Sequence, residues 1–374
     1  MAVDARVRGF STGGSVPGPA RWAGALRRLG SAAEWLTTPL SPDDYLALVN
    51  PLWTAREPRG RIEAVRREAA DAATLVIRPG RNWATHTPGQ WTRIGVDIQG
   101  VRHWRAYSLS SPPGCDGRVT VTVKAAGLVS RHLVRRVRPG TIVGLARPEG
   151  EFVLPDPPPP RLLFLTAGSG ITPVRAMLRH LFPGTGPCRG SPDVVLVHSA
   201  PTAADFIFGA ELRAMAARSP SLRLYERHTR ARGRLSPADL ADLCPDWAER
   251  PTWACGPAGM LADAEAHWAG RREPLHVEHF HPPTPVTAMD GGRVRFIKSG
   301  RECDADGDLP LLVIGEEAGA LLPSGCRIGV CRSCVGRLAS GQVRDLRTGQ
   351  IHGEEGDLIQ TCVSAAAGSV EIDL

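Results

Sequence analysis

Ser324-Gly325-Cys326-Arg327-Ile328-Gly329-Val330-Cys331-Arg332-Ser333-Cys334 carries three cysteines in the spacing C-x4-C-x2-C, and Cys362 follows after 27 further residues. Two irons bridged by sulfide need four thiolates converging on a small volume, and a tight loop that supplies three of them meets that need. Gly325 and Gly329 let the backbone fold close to the sulfides. A small residue such as Ser333 leaves room for N–H groups to point at sulfur. Two other readings compete. A structural zinc site usually pairs its cysteines in C-x2-C knuckles, whereas here the first interval is longer and a single cysteine closes the set. Cys331-Arg332-Ser333-Cys334 also has the form of a thiol–disulfide pair. The two additional cysteines at fitting distances favour a [2Fe–2S] cluster on Cys326, Cys331, Cys334 and Cys362.

Around this loop, RVRFIK, PLLVIG and SVEIDL read as strands, and GEEAGALLPSG as a helix-like stretch. The segment from about 291 to 374 resembles plant-type ferredoxins in its motif and in its order of elements. That resemblance implies a β-grasp fold.

The rest of the chain is larger. Of 374 residues, 42% are hydrophobic and 22% charged, which fits a core-forming chain of two or three domains. No apolar run approaches the roughly 20 residues of a membrane span. The start, MAVDARVRGFSTGG, lacks the apolar stretch of a secretory signal, so a cytoplasmic location is expected. In that compartment the nine cysteines read as metal or cluster ligands and free thiols; Cys115, Cys188, Cys244 and Cys303 have no partner spacing. The net charge of +7 is uneven: residues 291–374 carry −3 and the remainder +10. No nucleic-acid module or Lys/Arg block accompanies the basic balance, so nucleic-acid binding is not expected.

Texture divides the chain into four parts. Residues 1–55 form an extension in which 21–36 (RWAGALRRLGSAAEWL) reads as a basic amphipathic helix, with a second short helix between Ser41 and Pro51. Residues 56–155 show short strands broken by Gly and Pro, the pattern of an antiparallel barrel. DPPPP at 156–160 is a stiff linker. Residues 161–281 alternate apolar strands with helices, the signature of a parallel α/β sheet. The ferredoxin-like part occupies 290–374. His276, His279 and His281 lie close together near the second linker and read as an exposed edge, not a metal site.

Arg105-Ala106-Tyr107-Ser108 ends a barrel strand. A flavin needs a cation for its phosphate, an aromatic face for its ring and a small hydroxyl near N5, and a strand end can offer them together. The stretch resembles the RxYS motif of the ferredoxin–NADP reductase superfamily. The resemblance implies Arg105 on the phosphate, Tyr107 against the isoalloxazine and Ser108 near N5. Gly127-Leu128-Val129-Ser130 resembles the superfamily's second phosphate contact, which favours FAD over FMN. Thr166-Ala167-Gly168-Ser169-Gly170-Ile171-Thr172-Pro173 joins a buried strand to a helix. Its glycines open the helix N-terminus to a pyrophosphate, and it resembles the superfamily's GxGxxP motif. Cys255-Gly256-Pro257 resembles the CGP element beside the nicotinamide, with Cys255 near the reactive carbon. Glu278 and Phe280 resemble the end of the reductase module. A 2′-phosphate needs cations. Pro201 stands near where many relatives place an arginine, and Arg230, with Arg227 and Arg232, offers charge from the next strand. NADPH is therefore favoured, with NADH an alternative.

The order of flavin barrel, nucleotide domain and ferredoxin implies a relay. A nicotinamide gives two electrons as hydride, a flavin takes hydride and releases single electrons, and a [2Fe–2S] cluster carries one at a time. The whole resembles single-chain flavin/iron–sulfur reductases that feed oxygenases and desaturases. The N-terminal stretch LRRLGSAAEWLTTPLSPDDYLALVNPLWTARE resembles the reductases paired with membrane stearoyl-CoA 9-desaturases. The implied partner is a membrane-bound acyl desaturase or a hydroxylase, including a Rieske oxygenase, and the basic helix would bring peripheral membrane contact.

Overall fold

The computed structural model describes residues 42–54, 58–184, 191–280 and 291–374, apart from Gln99, Cys115, Cys326, Ile328, Val330 and Cys331. The expected helix at 21–36 and the whole linker at 281–285, with His281, lie outside the described residues. Residues 1–56 and 57–374 form two units. In the first, α1 (Pro42–Val49) is followed by a 3-10 turn (Pro51–Trp53) capped by Asn50, whose side chain accepts from the Leu52 N–H at 3.0 Å.

The second unit opens with β1 (Arg59–Ala69), β2 (Ala72–Pro79), β3 (Trp91–Ile98), β4 (Val101–Ser108), β5 (Val119–Lys124), α2 (Leu128–Arg135) and β6 (Ile142–Leu145). The six strands are antiparallel in the order β4-β3-β6-β1-β2-β5. A bridge between Leu109 and Val121 ties the two outer strands, which closes the sheet toward a barrel. Ile62, Leu75, Ile77, Ile94, Val121 and Leu133 fill its interior.

Next come β7 (Arg161–Ala167), α3 (Ile171–Leu181), β8 (Asp193–Ala200), α4 (Gly209–Arg218), β9 (Leu222–His228), α5 (Thr229–Arg232), α6 (Pro237–Leu243), β10 (Thr252–Cys255), α7 (Ala258–Trp268) and β11 (Leu275–Glu278). The strands are parallel in the order β11-β10-β7-β8-β9. Apolar runs such as Leu162–Leu165 and Val194–Val197 are buried because helices cover the sheet on both faces. Phe152, just past the barrel, packs into this domain's core with Met177 and Trp253. Arg175 on α3 reinforces the junction: it donates to the Ser110 carbonyl at 3.0 Å, pairs with Glu211 at 2.8 Å and lies 4.1 Å over the Phe208 ring.

The last part contains β12 (Gly292–Phe296), β13 (Arg301–Ala305), α8 (Leu311–Glu317), β14 (Val335–Ser340), β15 (Val343–Asp345), β16 (Ile351–His352), β17 (Leu358–Gln360), β18 (Ser364–Ala366) and β19 (Val370–Asp373). β12 and β19 run parallel at the centre of the sheet β13-β12-β19-β14-β17, and α8 packs on it. Its core, with Val294, Phe296, Leu311, Ile314, Leu338 and Ile372, is its own. The expected strand PLLVIG is instead α8. Pro310 stands before the first turn, and Leu311, Leu312, Ile314 and Gly315 are buried at helical spacing. Burial on the sheet overrides the β preference of Val and Ile.

Candidate functional site

β4 presents Arg105 and Tyr107 at alternate positions, and Ser108 closes the strand with 5% of its surface exposed. These residues line a cavity of about 350 Å³. Lys124, Gly127 and Ser130 join them from the end of β5 and the start of α2; Ser169, Thr172 and Glu278 join from the nucleotide domain. Arg327, from the cysteine loop, completes the wall. One cavity is therefore lined by all three parts of the larger unit.

The electrostatics fit an anionic, ring-bearing ligand. Burial, and then the nearby Arg327 charge, push the Arg105 guanidinium down to about 10. Arg105 donates to the Trp104 carbonyl at 2.8 Å. Burial raises the Tyr107 phenol well above its ordinary value, so it stays neutral. Ser130 secures the first turn of α2: its hydroxyl accepts from the N–H groups of Ala126 and Gly127, both at 2.9 Å. A side chain at Gly127 would meet only open space, so the backbone there is accessible to a ligand. Paired guanidiniums, an open glycine and an aromatic wall suit a flavin phosphate and ring.

The nucleotide loops meet at the carboxyl ends of three strands. Cys255 lies opposite Thr166 on β7 and opposite Glu278 on β11. Burial raises the Cys255 thiol well above its ordinary value, with the Glu278 charge adding to it. Burial likewise pushes Glu278 up to about 7 from an ordinary 4.5. Gly168 and Gly170 form a 3-10 turn into α3, Pro173 is buried in its first turn, and the Thr172 hydroxyl donates to the Ser169 carbonyl at 2.9 Å. Thr166 points inward: its hydroxyl lies 2.7 Å from Nδ1 of the buried His198. Gly256 and Pro257 lead into α7.

Because Glu278 holds a proton in the folded state where an unfolded carboxyl has lost it, its own contribution to stability falls as pH rises from about 4.5 to about 7 and levels off above. Glu278→Gln is expected to remove that contribution, so the stability difference between the two proteins changes across this range. Urea unfolding of both proteins across this range checks it; a pH-independent difference between them would contradict the assignment.

Arg230 and Arg232 are exposed on α5. The Arg230 N–H donates to the Pro201 carbonyl at 3.1 Å, which brings this arginine beside the end of β8. Arg227 is committed elsewhere: its guanidinium donates to the carbonyls of Arg232 and Gly233 at 2.7 and 3.1 Å. His276 differs from its expected exposed setting, for it stacks on Trp253 with ring centres 4.5 Å apart. His279 faces Glu265 at 3.3 Å. Among the described residues no group of three metal-binding side chains occurs.

Cys334 and Cys362 are buried together against Leu312 and Val363. Thr361 donates to the Cys334 carbonyl through both its N–H (3.0 Å) and its hydroxyl (2.8 Å). Gln360 donates to the Gly329 carbonyl at 2.9 Å and so holds the loop. Cys326 and Cys331 lie outside the described residues. Two adjacent buried thiols in an apolar shell fit a cluster. The loop also touches the barrel, where Arg93 on β3 donates to the Ser333 hydroxyl at 3.0 Å.

Comparison with known proteins agrees with this division. Residues 67–154 match the oxidoreductase FAD-binding domain, 164–266 the oxidoreductase NAD-binding domain and 295–367 the 2Fe-2S iron–sulfur cluster binding domain. An NADPH oxidoreductase of Mycobacterium tuberculosis is 54% identical over 94% of this chain and 92% of its own. This chain belongs to the ferredoxin-reductase-type oxidoreductases with FAD-binding, NAD-binding and C-terminal [2Fe–2S] domains. As such a reductase it is an NAD(P)H–FAD–[2Fe–2S] oxidoreductase. The ferredoxin reductase component of a 3-ketosteroid-9-alpha-monooxygenase from Mycolicibacterium smegmatis is 31% identical, over 76% of this reductase and 86% of its own length. The structure of phthalate dioxygenase reductase superimposes with a TM-score of 0.60 at 22% identity, over 84% of this chain and 97% of that one, and shares the fold.

Arg327, Lys124 and Trp91 also line the cavity, and nothing in the local sequence marks them for it. They come from separate elements, and no local spacing links them to the RxYS strand.

Proposed function

We propose that this reductase takes electrons from NADPH and delivers them singly to a membrane-bound acyl desaturase. The observation that carries the electron path is the single cavity lined by Ser108, Glu278 and Arg327, one residue from each part. The bound cofactors supply the conversion from hydride to single electrons. The residues supply placement: Arg105 and Ser130 hold phosphate, Tyr107 and Ser108 face the flavin ring, and Cys255 with Glu278 lines the nicotinamide side. Gly168, Gly170 and Pro173 open the turn for the pyrophosphate, and Cys326, Cys331, Cys334 and Cys362 hold the cluster. Arg230 beside Pro201 supports NADPH, as does the likeness to the NADPH oxidoreductase of Mycobacterium tuberculosis.

Among the described residues no helix is long and apolar enough to cross a membrane. Contact with a membrane partner would rest on the extension, where Leu48 and Val49 are 78% and 73% exposed on α1. A second reading, delivery to a hydroxylase or Rieske-type oxygenase, is supported by relatives that are reductase subunits of monooxygenases. Reconstitution distinguishes them. With desaturase-containing membranes, NADPH oxidation is expected to rise with double bonds formed, and NADH to support a lower rate. Stoichiometric coupling to a hydroxylase, with none to the desaturase, would replace the first reading by the second.

A further inference from the structure

The cysteine loop brings a guanidinium into the flavin cavity. Arg327 lines it beside Arg105, Tyr107 and Ser130. The Arg327 backbone is left-handed, at φ 63°, a conformation that side-chain-bearing residues seldom adopt. Its Nη2 pairs with Glu316 on α8 of the same domain. Its Nε is buried and has no hydrogen-bond partner among the described residues. Arg105 is deep in the same wall, and of its guanidinium hydrogen bonds the structure shows one, to the Trp104 carbonyl. The other charged residues of the wall are Lys124, which faces Asp71 at 3.6 Å, and Glu278 on the nicotinamide side. Two guanidiniums thus share a partly desolvated space, and Glu316 is the carboxylate with which Arg327 pairs among the described residues. Such a cluster is stabilised when a multivalent anion lies between the cations.

We propose that Arg327 is a second guanidinium of the flavin phosphate site, so that the ferredoxin domain helps to bind the flavin from which it receives electrons. The inference rests on the assignment of Arg105 to the flavin phosphate. Its consequence is linkage: whatever tightens flavin binding also tightens docking of the cluster loop on the barrel, by the same factor. The Arg93–Ser333 hydrogen bond holds the other end of that loop to β3. Flavin and cluster would then be brought together by the ligand itself.

The test measures FAD dissociation constants by fluorescence titration of the full-length, cluster-loaded protein, with visible circular dichroism to confirm that the cluster remains. Arg327→Ala is expected to weaken FAD binding about tenfold or more, in line with the loss of a charge-assisted hydrogen bond. Arg327→Lys is expected to recover part of that loss. Glu316→Gln removes the ion pair but keeps the guanidinium, and is expected to leave FAD affinity unchanged or tighter. If Glu316→Gln weakens FAD as much as Arg327→Ala, the arginine acts by holding its own loop and the proposal falls. It also falls if Arg327→Ala keeps parental affinity while Arg105→Ala loses it. Unchanged affinity in Arg105→Ala would instead remove the reading of the cavity on which the inference stands.

Discussion

Cys334→Ser is expected to leave flavin reduction by NADPH close to the parental rate while electron delivery to a one-electron protein acceptor falls by about two orders of magnitude or more. Cys334 is 1% exposed and packs with Cys362, Leu312 and Val363, all within the ferredoxin domain. The core of that domain shares no residue with the barrel or the nucleotide domain. Damage to the cluster should therefore remain local. Thr166, Cys255 and Glu278, the last two proposed for the nicotinamide side, are in register on three strands of another sheet. Since the cluster loop also carries Arg327 into the flavin cavity, the comparison is made with FAD in excess. Anaerobic stopped-flow bleaching of the flavin reads the first half of the path, and steady-state reduction of a protein acceptor reads the second. The same division is expected for Cys331→Ser. Loss of flavin bleaching in parallel with acceptor reduction, at saturating FAD, would contradict a modular relay.

What the sequence made legible is what a short period within one element encodes. The C-x4-C-x2-C loop identified the ferredoxin domain because ligand chemistry fixes both residue type and spacing. Arg105, Tyr107 and Ser108 could be placed together because they share one strand end. The glycine-rich turn after β7 was readable because it lies between a buried strand and a helix. Other features depend on how elements dock. Leu311-Leu312-Val313-Ile314 has a strand-like composition, and its burial on the β-grasp sheet makes it helical. His276 is polar in sequence, yet its ring stacks on Trp253 because β11 runs beside β10, with the two residues in register. Glu278 reaches the cavity wall for the same reason. Arg227, Arg230 and Arg232 looked equivalent, but the turn after β9 folds back so that Arg227 caps its carbonyls, leaving Arg230 and Arg232 exposed. Arg327 could be paired with no flavin residue by spacing, since its position follows from the docking of one domain on another.

Gly170→Ala is expected to slow flavin reduction by saturating NADPH about a hundredfold, the cost of roughly an ångström of misplacement at a reacting centre. The backbone of Gly170 is ordinary, at φ −61° and ψ −12°, so torsion alone does not demand glycine. The demand is steric: an added Cβ would stand 2.0 Å from the Cys255 carbonyl oxygen and 2.4 Å from its carbon. Both are backbone atoms and cannot rotate away, so the turn into α3 and the loop after β10 must separate. That separation moves Cys255 relative to Ser169 and Thr172 in the cavity wall. Gly168 provides the internal control. It has φ 55°, yet a Cβ there would meet open space. Gly168→Ala should therefore cost about 1–2 kcal/mol of left-handed strain and change the reduction rate far less. The cluster spectrum should be parental in both variants and FAD affinity should change less than the reduction rate, since an added side chain at Gly170 would meet Cys255 and Gly256 first and one at Gly168 would meet open space. Reduction by Gly170→Ala within about threefold of the parent would mean that the two nucleotide loops need not touch for hydride transfer, and that glycine serves there only to open the helix N-terminus.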